Sequence, residues 1–326
     1  MASVSYAYAV GNVRAHEASL LSRQDLEQLL AQKTPEMLAS ALRDKGYGDA
    51  AGDEDGELLI RKETEAMWSY LRSITPDFAL YDPFLFRNDY HNLKAILKGT
   101  ISGRPYKHLL LYPSTVETDI LTKAVKERRF DLLPAHMKAA ADNAYDAIAH
   151  AYDAQLCDLL LDRAAMEAML CAAQRIGVRL LSEYIRIVVF YYDARIALRA
   201  ARMHKSAAFL DAALCPCADL PTSEFRQAAL SGTEELLKLM ERIDVFDSRQ
   251  AAEAFRHSPS DFERFTEDRA VICAQKAKYV TLGPEPLIGY LVAKEAELNA
   301  VHILLSGLRA GQEESAIRER LRMLYA

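Results

Sequence analysis

Tyr184-Ile185-Arg186-Ile187-Val188-Val189-Phe190-Tyr191-Tyr192 is the stretch on which the fold class turns. Its β-branched and aromatic residues have the composition of a buried strand. Strand-like alternation is almost absent from the rest of the chain, so a strand here has no partner for its backbone groups. Local propensity is a weak prior that tertiary context overrides. The segment therefore reads as a buried helix, and the fold class as all-α.

The sequence on either side agrees. Apolar residues recur at helical spacing in Leu26, Leu29 and Leu30, in Leu156, Leu159 and Leu160, and in Met166, Met169 and Leu170. Thr34-Pro35 and Thr75-Pro76 each read as an N-cap followed by proline in the first turn. Ser114 to Glu117, Ser231 to Glu234 and Ser260 to Glu263 fit the capping-box pattern. Loops are expected over Gly46 to Glu57, Ser102 to Pro113, Cys215 to Pro221 and Thr281 to Pro286.

Directly after the opening stretch, Asp193-Ala194-Arg195-Ile196-Ala197-Leu198-Arg199-Ala200 has two counterparts. They are Asn92-Leu93-Lys94-Ala95-Ile96-Leu97-Lys98-Gly99 and Ala300-Val301-His302-Ile303-Leu304-Leu305-Ser306-Gly307. Each has small or apolar residues at i, i+3 and i+4, and a potentially cationic residue just after the first: Lys94, Arg195, His302. The outer two copies share a Gly-x3-Gly ending, Gly99/Gly103 and Gly307/Gly311. The spacings, 101 and 107 residues, are each about a third of the chain. The expected organisation is three similar helical bundles, 1–112, 113–218 and 219–326, around a pseudo-threefold axis with a central cavity.

Composition narrows the function. The 326 residues are 51% hydrophobic and 26% charged, with only 13 glycines and 11 prolines, which suits a globular protein of long helices. A net charge of −6 gives no basic surface for nucleic acid. Met1 to Val10 is too short for a signal peptide, and the most apolar run, Ile187 to Tyr192, is far short of the ~20 residues a span needs. Five scattered cysteines, at 157, 171, 215, 217 and 273, suggest a reducing cytosol rather than a disulfide framework.

Signatures of catalysis are missing. No Gly-Lys dipeptide occurs, so there is no P-loop. Gly46-x-Gly48-x-x-Ala51 matches a dinucleotide pattern, but a helix precedes it and Asp49, Asp53, Glu54 and Asp55 would repel a pyrophosphate. Cys215-Pro216-Cys217 lacks the spacing of a zinc pair. The histidines do not cluster; His91 and His302 read as packing or hydrogen-bonding groups on helices. No catalytic, cofactor or metal residue is therefore nominated. A helical small-molecule-binding protein or enzyme with an unsignposted pocket is the alternative; its mark would be desolvated carboxylates converging in a closed cavity. A generic helical-repeat adaptor would need a period of ~34–47 residues, and none is present.

Three blocks carry a family likeness. Tyr6-Ala7-Tyr8-Ala9-Val10-Gly11-Asn12-Val13-Arg14-Ala15 is followed by Leu20 to Glu27. Asp89-Tyr90-His91-Asn92-Leu93-Lys94-Ala95-Ile96-Leu97-Lys98 comes next, and Glu285 to Glu297 runs on to Gly307 and Ile317-Arg318-Glu319-Arg320-Leu321. Together they resemble the C subunit of the bacterial and archaeal V-type ATPases, the counterpart of the d subunit of the eukaryotic V-ATPase. Where that family tends to have Asn-Ile-Arg, this chain has Asp193-Ala194-Arg195 and Ala300-Val301-His302. The resemblance implies three helical domains forming a funnel. It also implies a non-catalytic connector between the central stalk and the membrane rotor ring, carrying torque between ATP hydrolysis or synthesis and proton or sodium movement. Such a connector is present once per complex, is a monomer in isolation, and meets the cytoplasmic membrane only through the ring. Lys94, Arg195 and His302 are the candidate partner-binding residues, lining or supporting a socket for the stalk; hydrogen bonding within their own domains is the competing reading.

Overall fold

The computed structural model describes residues 5–48, 55–216, 219 and 222–325. These residues form helices and connecting loops, with no strand among them. The first half runs α1 (Ala7–Glu17), α2 (Arg23–Leu30), α3 (Pro35–Asp44), α4 (Gly56–Ile74), α5 (Asp82–Ser102), α6 (Thr118–Lys126), α7 (Ala135–Ala149) and α8 (Ala154–Ile176). The second runs α9 (Arg179–Arg202), α10 (Ala207–Ala213), α11 (Thr222–Ser231), α12 (Thr233–Ile243), α13 (Ser248–His257), α14 (Pro259–Gln275), α15 (Glu285–Arg309) and α16 (Glu314–Arg320).

Two compact units result. One joins residues 1–78 to 254–326, and the other holds 79–253. In the first, α15 is the central helix: 17 of its 25 residues are buried, and α1, α4 and α14 pack against it. In the second, α8 lies between α5 and α9. Lys94 reaches Asp162 and Lys98 reaches Asp158, so α5 and α8 run antiparallel.

The opening stretch lies within α9, where Tyr184, Ile185, Ile187, Val189, Phe190 and Tyr191 are all buried. A helix covered on several sides needs no single apolar stripe. Neighbours therefore supply the stability that β-branched residues withhold from an isolated helix. Phe84 and Phe225 lie against this core, with ring centroids 5.5 Å from Tyr184 and 6.0 Å from Phe190.

The repeat recurs in the backbone. The amide of Arg104 donates to Gly99 O at 3.1 Å, that of Lys205 to Ala200 O at 3.0 Å, and that of Gln312 to Gly307 O at 2.9 Å. The residue before each donor is left-handed: Gly103 (φ 68°), His204 (φ 51°) and Gly311 (φ 63°). This is a Schellman-type ending at the same position of all three copies. The earlier glycines do another job. A Cβ on Gly99 would lie 2.3 Å from the Tyr106 ring, and one on Gly307 would lie 2.6 Å from Ile317. In each outer copy the chain folds back onto the helix it has just left, and only glycine admits that approach.

Several caps differ from expectation. Thr34 caps α3 as expected. Thr75 ends α4 instead of starting a helix. Glu117 and Gly232 are the N-cap residues of α6 and α12, with no side-chain cap bond at either. The α14 cap is Ser258, two residues before the expected Ser260, with Pro259 in the first turn. Ser22 and Asp25 form a capping box that the sequence reading passed over.

Candidate functional site

Several polar side chains on α5, α9 and α15 hold the backbone of other segments. On α5, Asp89 is fully buried. Its carboxylate accepts the amides of Thr115 (2.8 Å) and Val116 (3.1 Å) and the Thr115 hydroxyl. Burial pushes its pKa up, and these donors oppose the shift. Asn92, one turn on, donates to Leu111 O at 2.9 Å and accepts from Leu111 N at 2.7 Å. Asn88 donates to Pro113 O at 2.7 Å, and His91 Nε2 contacts Leu109 O at 2.9 Å. The motif around residue 90 is thus a clamp on the segment that follows α5.

The other copies repeat the device with different residues. On α9, Asp193 is 4% exposed and accepts the Cys215 amide at 2.9 Å. Its pKa is pushed up to about 7, chiefly by burial; the Cys215 bond and Arg163 oppose that, and Glu167 adds to it. On α15, Glu297 occupies the position matching Asp89. It accepts the Leu21 amide and the Tyr47 hydroxyl, both at 2.6 Å. Lys294 pairs with Glu297 and, at 2.6 Å, with Glu63. Burial and the neighbouring Glu297 and Glu63 drive the Tyr47 phenol far above its ordinary pKa, and Tyr290 is pushed up to about 12, again mainly by burial. Each of α5, α9 and α15 therefore carries a buried carboxylate that takes a backbone amide from a non-helical segment. At the N-terminal block, Arg14 donates to Ala277 O (2.8 Å) and Val280 O (3.0 Å) while pairing with Glu17.

The three nominated cations have different surroundings. Lys94 lies 2.5 Å from Asp162. Arg195 is half-buried, and its Nε has no hydrogen-bond partner among the described residues. His302 is exposed, with Nδ1 3.9 Å from Glu57. Lys94 and Arg195 belong to the unit 79–253 and His302 to the other. Sequence reasoning did not single out Asp89, Asn92, Asp193, Lys294 or Glu297 as the polar groups that hold the fold. Their signal is a polar residue on an otherwise apolar face, as where Asp89 and Asn92 fall in line with Leu85, Leu93 and Ile96.

Little converges elsewhere. No group of metal-ligating side chains occurs among the described residues; Cys215 is buried and Cys217 lies outside them. Of the Gly46 to Ala51 motif, the described part ends at Gly48. A surface cavity of about 630 Å³ runs along α7 and α8. Glu167 is its one carboxylate, paired with Arg163, and His136 lies over Phe86 and beside Tyr90.

Among the described residues the protein is all-helical, and buried polar groups on α5, α9 and α15 fasten other segments of the chain to these helices. The chain is a member of the ATP synthase (C/AC39) subunit family, whose model matches residues 9–320. It is 21% identical to the C subunit of the V-type sodium ATPase of Enterococcus hirae over 319 residues, covering 96% of this chain and 97% of the relative. It is 23% identical to the C subunit of the V-type ATP synthase of Thermus thermophilus over 204 residues, covering 60% of this chain and 62% of that protein. Membership makes the chain a component of a V-type ATPase or ATP synthase complex.

Proposed function

We propose that this chain is the non-catalytic connector of a V-type ATPase or synthase, joining the central stalk to the membrane rotor ring and transmitting torque between them. The observation that supports the reading is the match to the ATP synthase (C/AC39) subunit family along residues 9–320. A torque coupler must be stiff, and close-packed helices transmit strain. The clamps on α5, α9 and α15 add to that stiffness by tying loops to the helices that bear load. No helix among the described residues is long and apolar enough to cross a membrane, so membrane contact is assigned to the ring.

Three units, 1–112, 113–218 and 219–326, arranged as a funnel around a socket, belong to the same proposal; the matched left-handed endings support the repeat behind it. One copy per complex, monomeric in isolation and held at the cytoplasmic face of the membrane, completes it. Lys94, Arg195 and His302 are proposed to support the socket. Lys94 already neutralises Asp162. The test is the affinity of the purified chain for the stalk subunits. Lys94→Glu with Arg195→Glu should weaken it at least tenfold at low salt, and Lys94→Gln with Arg195→Gln, which brings no new negative charge to Asp162, should weaken it in the same direction with a smaller loss of thermal stability. Equal affinity would remove these residues from the socket, and a wild-type chain that binds neither stalk nor ring would end the connector reading.

A further inference from the structure

The clamp on α5 raises the question of what it holds in place. Leu109, Leu111 and Tyr112 are 47%, 44% and 59% exposed. Three large apolar side chains within four residues face water, and the backbone beneath them is fixed at Leu109, Leu111 and Pro113 by His91, Asn92 and Asn88. Tyr106 anchors the start of the segment on Gly99, and the Tyr112 hydroxyl meets Thr118 Oγ1 at 3.2 Å. A free loop would fold such side chains inward to remove them from water. A clamped one is pre-organised, so a partner that covers it loses little ordering entropy on binding. The residues that resemble the family motif thus support an apolar ridge.

Charge indicates the partner. From Gly103 to Thr115 there is no acidic residue, although the whole chain carries −6. Arg104 and Lys107 are exposed and form no ion pair among the described residues. We propose that residues 104–112 are a docking ridge for another protein of the complex, one that offers an apolar pocket bordered by carboxylates. The partner is a protein rather than a lipid surface because the ridge is short and held in one register: a shaped pocket requires a fixed register, and a fluid bilayer does not. Identifying that protein as the stalk or the ring rests on the connector reading above.

The experiment measures binding of the purified full-length chain to the soluble stalk subcomplex, to the detergent-solubilised rotor ring, and to vesicles containing anionic phospholipid. Leu109→Ser/Leu111→Ser/Tyr112→Ser should weaken binding to one of the two protein assemblies at least tenfold. Arg104→Glu/Lys107→Glu should slow association with the same assembly and reduce its salt dependence. Tyr152→Ser, which alters a side chain 88% exposed elsewhere in the unit, serves as control and should bind as wild type. The single change Tyr112→Ser is the fallback if the triple variant melts early. The proposal is overturned if wild type binds either assembly and the ridge variants bind it equally well. It is also overturned if the variants lose only vesicle binding. Wild type binding neither assembly counts against the connector reading as well.

Discussion

Asp193 stands where the first copy of the repeat has Asn92, and that exchange makes it respond to pH. The Asn92 amide satisfies both the N–H and the C=O of Leu111. A carboxylate only accepts, and Asp193 takes the Cys215 amide. Burial raises its folded pKa to about 7, well above the ordinary value of 3.8. Between those two values the folded state holds a proton that the unfolded chain has released, so stability falls as pH rises through this window and levels off above it. Asp193→Asn should remove that slope and stabilise the protein by on the order of 2 kcal/mol at pH 8, while changing little at pH 4. Urea melts of both proteins at the two pH values check this. A parallel pH dependence in the variant would assign the slope to another group.

At the scale of elements, the endings of α5, α9 and α15 separate two requirements that the Gly-x3-Gly pattern runs together. Gly307 is needed for space, since Ile317 lies where its Cβ would be. Gly311 is needed for its left-handed backbone. Gly307→Val should cost about 2–3 kcal/mol through overpacking. In the middle copy His204 occupies the left-handed position (φ 51°), and His204→Gly should leave the melting temperature unchanged or raise it slightly, because relief of backbone strain offsets glycine's greater freedom when unfolded. Thermal melts of the two variants rank them, and a marked loss with His204→Gly would mean that its side chain is needed. This middle ending escapes a search for glycines because histidine tolerates the same region. Helix positions were legible because spacing is local. Cap positions were less so: at α14, Ser258 and Ser260 both have an acidic residue three places on, and the choice fell to Ser258 because Pro259 suits the first turn.

At the scale of the molecule, residues 1–78 and 254–326 form one unit although the rest of the chain separates them. Glu297 is a principal fastening, since it receives Leu21 and Tyr47 from the early part of the chain and Lys294 from its own helix. Glu297→Ala should destabilise this unit by about 3 kcal/mol, because it leaves a buried amide and hydroxyl unpaired and removes one of the two carboxylates facing Lys294. Glu297→Gln should cost less, since an amide oxygen still accepts. Hydrogen exchange at the Leu21 amide is the local readout, and protection unchanged in the alanine variant would contradict the role.

The amino-acid order by itself determined the helical class, most helix positions, and the repeat with its glycine endings. Each of these depends on residues a few positions apart, where spacing and backbone sterics act directly. Only the tertiary structure decided that the buried polar groups hold backbone, that Lys94 faces Asp162, and that Leu21 meets Glu297 across 276 residues. Such pairings exist only once the helices have packed, because a polar side chain on an apolar face takes whatever donor or acceptor the fold brings within reach.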